Sequence, residues 1–134
     1  MPQINILYVE DYELVLFTVK QLLELEGWSV DVCRDGATAL KKIEGIEQYH
    51  LIVLDADLPG ISGLELVRRA RKMTHRRRTP IIIFTASEYD AEASAAGANA
   101  LLKKPNGIRD LIPTIEMLIN GQHSNANANS NANS

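Results

Sequence analysis

Five polar residues of this sequence each follow or end a short apolar run, and their types could together carry out phosphoryl chemistry. They are Glu10, Asp11, Asp55, Thr85 and Lys104. Three carboxylates brought to one place would repel one another and raise each other's pKa unless a cation lay among them. Mg²⁺ suits such a site because it takes few protein ligands and keeps positions for water and phosphate. A carboxylate beside Mg²⁺, an ammonium group and a hydroxyl has the groups needed for in-line phosphoryl transfer to an aspartate.

Asp55 is the best candidate for the nucleophile of such a reaction. It ends the apolar run "LIVLD" and precedes a loop with Pro59 and Gly60 that can admit a phosphoryl donor. A carboxylate is already ionised at neutral pH, so no general base is needed. The alternative is that Asp55 serves only as a turn or cap residue before a helix. The other four polar residues, which lie at the ends of three further apolar runs, favour the chemical role.

The elements that would position these residues alternate along the chain. Strands are predicted at 4–9, 28–33, 50–55, 80–86 and 100–105. Helices are predicted at 12–27, 35–45, 88–97 and 107–121, and a turn followed by a helix at 59–73. Five strand–helix units with short connections predict an α/β fold, a parallel sheet covered by helices on both faces. Ligands of such sheets bind at the carboxyl ends of the strands, so the five polar residues are predicted to share one edge.

Composition limits the class of protein. The chain has 134 residues, of which 46% are hydrophobic and 23% charged, and this predicts one globular domain at 1–121. The net charge of −3 argues against nucleic acid as a direct partner. The sequence has no apolar run of membrane-spanning length and no secretory signal pattern at Met1, so the predicted location is cytoplasmic, away from membranes. Cys33 is the single cysteine, which excludes a disulfide within the chain.

Three further segments carry predictions. The stretch 122–134 is rich in Asn, Ala and Ser and is predicted to be a flexible tail or linker. Pro113 predicts either a kink in the last helix or a start after Ile108. The basic run "HRRR" at 75–78 is predicted to be a solvated helix end, since no aromatic residue is interleaved as in nucleic-acid sites.

Four motifs in order along the chain resemble the receiver domain of bacterial two-component response regulators. They are "VED" in the first strand, "LDADLPGISG" in the third, "FTA" in the fourth and "AGANALLKKP" in the fifth. The resemblance covers about 4–121. It implies a flavodoxin-like, doubly wound sheet of five parallel strands in the order 2-1-3-4-5, with five helices in a three-layer α/β/α arrangement.

The resemblance also implies a role for each site residue. Asp55 would accept a phosphoryl group from a histidine of a sensor histidine kinase or a histidine phosphotransfer protein. Mg²⁺, or Mn²⁺ in its place, would be held by Glu10, Asp11, Asp55 and the backbone carbonyl of Asp57. Phosphoryl oxygens would be bound by Thr85 and Lys104, with a cis bond between Lys104 and Pro105. The chain would not be an enzyme, since it would catalyse only its own Mg²⁺-dependent phosphorylation and dephosphorylation. Phosphorylation would then switch a surface that binds an effector of unknown identity.

The sequence departs from the family pattern at three places. Leu101 stands three positions before Lys104, where the family commonly has an aromatic switch residue. The segment 85–97 is about one helical turn short, which predicts either an altered output surface, the favoured interpretation, or a locally soft element. Asp57 carries a charge where many relatives have an apolar residue, and Asp57 and Ser87 are predicted to modulate the rates of charging or dephosphorylation. Pro59 and Gly60 are predicted to shape the loop after Asp55.

Three other functions fit parts of the pattern. A pseudo-receiver would dock to partners without being phosphorylated, and Leu101 with the short fourth helix is compatible with that. "LDADLP" also resembles the first motif of haloacid-dehalogenase-type phosphotransferases, in which Asp55 would be nucleophile and Asp57 general acid. A flavodoxin-like mononucleotide binder would need a phosphate loop after the first strand, and that loop is absent from the sequence.

Overall fold

Five parallel strands form the central sheet of the computed structural model, which describes residues 3–131 and the side chains of 3–121. The strands are β1 (Asn5–Val9), β2 (Ser29–Cys33), β3 (Leu51–Leu54), β4 (Ile81–Thr85) and β5 (Ala100–Lys103). Their order is β2-β1-β3-β4-β5, and every neighbouring pair is parallel. The predicted strand order is therefore confirmed. The order reverses between β1 and β3, which places the switch point of the sheet beside their carboxyl ends.

Five helices cover the sheet. They are α1 (Glu13–Leu25), α2 (Gly36–Glu44), α3 (Gly63–Lys72), α4 (Asp90–Ala96) and α5 (Ile108–Asn131). The carboxylate of Asp35 caps α2 by accepting from the Thr38 N–H at 2.7 Å, and the Ser62 hydroxyl caps α3 in the same way. Gly97 ends α4 in the left-handed region, with φ of 108°. None of the described helices is both long and apolar enough to cross a membrane.

The core lies in two layers, one on each face of the sheet. Alternate strand residues such as Leu7 and Val9 pack with α2, α3 and α4, whereas Ile6 and Tyr8 pack with α1 and α5. Both faces of β3 and β4 are covered, which is why every residue of these strands is buried and all but the last, Thr85, are apolar. The predicted three-layer α/β/α arrangement is confirmed.

The last helix differs from its prediction at both ends. A start after Ile108 is wrong, because α5 begins at Ile108 with the exposed Pro113 inside it. One proline near the start removes a single backbone donor without ending the helix. The helix also passes Gly121 and reaches Asn131, since no proline follows to stop it and an interior glycine costs only about 1 kcal/mol. Residues 132–134 lie outside the described residues, and the flexibility of 122–134 stays a prediction.

The basic run 75–78 is not simply a solvated helix end, and the prediction fails at Arg76. The Arg76 side chain is buried, with 2% of its surface exposed. Its guanidinium donates to the Ile43 carbonyl at 2.9 Å and to the Glu47 carbonyl at 2.6 Å, and it lies over the Tyr49 ring at 4.9 Å. Arg76 therefore caps the carboxyl end of α2, where a positive charge is favourable.

Candidate functional site

Three carboxylates meet at the carboxyl ends of β1 and β3. These strands are neighbours in register, with Val9 opposite Leu54, so the residues that follow them lie side by side. One carboxylate oxygen each of Glu10, Asp11 and Asp55 lies within 4.8 Å of the others. Glu10 and Asp55 are buried and Asp11 is exposed, so the group opens to solvent on one side.

Lys104 supplies the positive charge of the site. It follows β5, and its ammonium donates to Asp55 Oδ2 at 3.0 Å and forms an ion pair with Glu10. The second oxygen of Asp55 accepts the Asp57 N–H at 3.0 Å. The bond between Lys104 and Pro105 is cis, as predicted. Both oxygens of Asp55 therefore have donors at fixed positions before any ligand arrives.

Partial burial and the neighbouring charges shift the pKa values of Glu10 and Lys104. Burial raises the pKa of Glu10, although the hydrogen bonds from Lys104 and Tyr12 oppose this. Burial would lower the pKa of Lys104, but its hydrogen bonds to Glu10 and Asp55 outweigh burial, and the pKa of Lys104 is raised. The ammonium is thus charged at neutral pH. One ammonium does not balance three carboxylates, so the site retains negative charge that a cation can neutralise.

Thr85 ends β4 at the same edge, but its hydroxyl faces Asp57. It donates to Asp57 Oδ2 at 3.4 Å, and the Ser87 hydroxyl donates to the same oxygen. The Tyr89 hydroxyl donates to Asp57 Oδ1 at 3.0 Å. The structure therefore brings Glu10, Asp11, Asp55 and Lys104 together, whereas the buried Thr85 contacts the Asp57 side chain.

Two residues near the site were missed by sequence reasoning. Tyr89 is one of them, and the spacing of Thr85, Ser87 and Tyr89 at every second position was the available signal, because an extended segment places such residues on one side. Lys103 is the other, since sequence alone treats it as a solvated neighbour of Lys104. Its ammonium donates to the Ser87 carbonyl at 3.0 Å and also pairs with Glu88 of that loop and with Asp90, the first residue of α4.

The remaining predicted residues have structural surroundings. Leu101 lies in β5, is half-buried and packs against the core on the α2–α3–α4 side. The Pro59 carbonyl accepts the Gly36 N–H at 3.0 Å, and Gly60 makes a turn with φ of 80°. These contacts fix the loop that connects β3 with α3.

Gly63, the first residue of α3, lies against the backbone of Asp55. Its N–H donates to the Ala56 carbonyl at 3.0 Å. A β carbon at position 63 would overlap the carbonyl oxygen of Asp55. A side chain at this position would therefore push α3 away from the strand end that carries Asp55.

Comparisons with known proteins agree with this geometry. Residues 6–116 match the family model of the response regulator receiver domain. The uncharacterized transcriptional regulatory protein YkoG of Bacillus subtilis is 38% identical over 119 residues, which are 86% of this chain and 50% of that protein. The chain thus spans about half the length of the curated relatives it matches.

Solved structures show the same fold. A CheY-like receiver domain protein from Methanospirillum hungatei superposes with a TM-score of 0.85 and 31% identity, over 92% of this chain and 99% of that one. The receiver domain of sensor histidine kinase PA1611 from Pseudomonas aeruginosa has a TM-score of 0.81 and 29% identity, over 89% and 99%, and its structure holds a magnesium ion in the active-site cleft. The chain belongs to the response regulator receiver domain family of two-component systems.

Proposed function

We propose that Asp55 accepts a phosphoryl group from a phosphohistidine of a sensor histidine kinase or histidine phosphotransfer protein. An Asp55 carboxylate oxygen would form the new bond to phosphorus, while the bond from phosphorus to the imidazole nitrogen breaks and its electron pair stays on the imidazole. The observation that carries the proposal is the position of Asp55, which lies at the switch point between Lys104 and two further carboxylates.

The residues at the site fit a divalent cation. Carboxylate oxygens are ligands that Mg²⁺ prefers, and the oxygens of Glu10, Asp11 and Asp55 are near enough to share one ion. These residues, with the backbone carbonyl of Asp57, would hold Mg²⁺ or Mn²⁺. When bound, the ion would neutralise negative charge on the phosphoryl oxygens.

The remaining residues of the site would orient and stabilise the phosphoryl group. Lys104 already donates to Asp55 and would donate to a phosphoryl oxygen. Thr85 would donate its hydroxyl once it turns away from Asp57. Asp57 and Ser87 line the approach to Asp55 and would modulate charging and dephosphorylation. The chain would catalyse only these reactions on itself.

An exposed apolar stripe on α1 would serve as the docking surface for the phosphoryl donor. Leu14, Phe17 and Leu25 lie on one face of α1 and are 67%, 56% and 78% exposed. The stripe begins beside Tyr12, whose N–H donates to Glu10 in the site. A helical partner in the cytoplasm, bound on this stripe, could bring its histidine to Asp55. Phosphorylation would then change the surface presented to an effector.

Intact-mass analysis after incubation with acetyl phosphate tests the proposal. We expect the mass of one phosphoryl group on the wild-type chain when Mg²⁺ is present and none after chelation. Asp55→Asn should show no adduct, whereas Asp110→Asn, a matched change at an exposed carboxylate on α5, should behave as wild type. Absence of the adduct together with absence of beryllofluoride binding would contradict the proposal and favour a pseudo-receiver.

A further inference from the structure

The carboxylate of Asp57 connects the two loops that flank the site. It belongs to the β3–α3 loop and accepts hydrogen bonds from the hydroxyls of Thr85, Ser87 and Tyr89 in the β4–α4 segment. We call these three hydrogen bonds the Asp57 clamp. Hydrogen bonds to an ionised acceptor are stronger than those between neutral groups. The clamp therefore ties the β4–α4 segment to the strand end that carries Asp55.

The clamp reaches the start of α4. Tyr89 directly precedes this helix, and its carbonyl accepts the Ala93 N–H, the first hydrogen bond of α4, at 2.7 Å. The helix has only seven residues and buries only two of them, Ala93 and Ala96. A helix this short with so little buried apolar surface is marginal without outside contacts. The Tyr89 side chain supplies such a contact through Asp57.

The clamp and a phosphoryl group on Asp55 would compete for the same donor. The Thr85 hydroxyl carries one proton and cannot donate to Asp57 and to a phosphoryl oxygen together. Asp55 and Asp57 lie close together in space, since the Asp57 N–H donates to the Asp55 carboxylate. A phosphoryl group on Asp55 would also add negative charge close to the Asp57 carboxylate and repel it. Both effects favour an open clamp in the phosphorylated state.

We propose that Asp57 is the positioning residue that holds the β4–α4 segment in the unphosphorylated chain, and that phosphorylation of Asp55 opens the clamp and releases Tyr89 with the first turn of α4. The release rests on the phosphorylation proposed above, whereas the clamp itself does not. Tyr89 is then the aromatic side chain that moves on phosphorylation. Position 101 in β5 cannot have this role, because its residue is a leucine. Lys103 keeps the segment near the sheet, because its bonds to the Ser87 carbonyl, Glu88 and Asp90 do not involve Asp57.

Amide hydrogen exchange measured by NMR on the full chain tests this proposal. Two amides report the clamp: the Ser87 N–H, which donates to the Thr85 hydroxyl at 3.3 Å, and the Ala93 N–H. We expect Asp57→Ala to accelerate exchange at both about tenfold, as the loss of hydrogen bonds to a charged group would give. Asp110→Ala, a matched loss of an exposed carboxylate on α5 and outside the β4–α4 segment, should change neither by more than about twofold.

The amide of Asp55, which donates to the Val9 carbonyl inside the sheet, shows whether each variant keeps its fold. Beryllofluoride with Mg²⁺ serves as the phosphoryl probe, and its binding is followed separately by ¹⁹F NMR. Bound probe should accelerate the Ser87 and Ala93 amides of the wild type to the level of Asp57→Ala and should add nothing in that variant. Unchanged exchange in Asp57→Ala, or in wild type with the probe bound, would overturn the proposal. If the probe failed to bind while Asp57→Ala still accelerated exchange, the phosphorylation-driven release would be wrong and the holding role of Asp57 supported.

Discussion

At the scale of single residues, two buried tyrosines differ in whether their hydroxyls are satisfied. The Tyr8 hydroxyl lies near the Glu10 carboxylate but makes no well-aligned hydrogen bond among the described residues, whereas the Tyr49 hydroxyl donates to Asp31 at 2.6 Å. A buried polar group without a partner costs about 1–3 kcal/mol, and a hydrogen bond to a charged acceptor contributes about 1.5–3 kcal/mol. The same substitution should therefore change stability in opposite directions at the two positions.

We expect Tyr8→Phe to leave the free energy of unfolding unchanged or to raise it by about 1 kcal/mol, and Tyr49→Phe to lower it by about 1.5 kcal/mol. Urea unfolding at neutral pH measures both, and each variant is the control for the other because the same atom is removed. A loss of stability in Tyr8→Phe as large as that in Tyr49→Phe would contradict the expectation.

Sequence reasoning at this scale worked where a residue's position in a strand defines its neighbours. Asp55 and Lys104 follow strands of one parallel sheet, so their meeting could be predicted before their contacts were known. The partners of Asp57 could not be predicted in the same way. Its hydrogen bonds to Ser87 and Tyr89 depend on the path of a loop, which the spacing of apolar residues does not determine.

At the scale of elements, α2 depends on a side chain from beyond α3. The last carbonyls of α2 have no backbone donor within the helix, and the buried Arg76 guanidinium donates to carbonyls at this end. Arg77 beside it is exposed. We expect Arg76→Met to lower the free energy of unfolding by about 2–4 kcal/mol, because the backbone carbonyls that accept from Arg76 would be left buried without a donor. Arg77→Met should change it by less than about 0.5 kcal/mol. Thermal or urea unfolding compares them, and equal effects would rule out the capping role.

The elements themselves were well predicted, because β3 and β4 are apolar up to the terminal Thr85 and the helices repeat apolar residues at helical spacing. The end of α5 was not predicted, since a lone glycine at position 121 looks like a stop in sequence although a helix can continue through it. The role of 75–78 was not predicted for a different reason. Arg76 and the α2 carbonyls are about thirty positions apart in sequence, and a local pattern contains no information about that contact.

At the scale of the whole molecule, the proposed docking surface on α1 and the proposed acceptor Asp55 can be tested separately by the choice of phosphoryl donor. Phe17→Ser removes exposed apolar surface from α1 without touching Asp55 or its neighbours. We expect transfer from a phosphorylated histidine kinase that labels the wild type to slow at least about tenfold, the effect of losing roughly 1.4 kcal/mol of contact. Labelling by acetyl phosphate should stay within about twofold, because a small donor needs no docking surface.

Ile46→Ser is the matched control for Phe17→Ser. Ile46 is fully exposed, but it precedes β3 and so lies at the opposite end of the sheet from Asp55. Both phosphoryl donors should label this variant at wild-type rates. Equal slowing of kinase transfer in the two variants would show that α1 has no special part in docking.

The close approach of Gly63 to Asp55 has a consequence for how fast the molecule can respond. The backbone contact leaves α3 no room to shift relative to the acceptor, whereas side-chain hydrogen bonds alone connect Asp57 with the β4–α4 segment. A conformational change would then reorder a few residues and would leave the layers of the core in place. Loop motions of that size take on the order of nanoseconds to microseconds. We therefore expect the rate of phosphoryl transfer, and not the rate of the conformational change that follows it, to limit the rate of signalling.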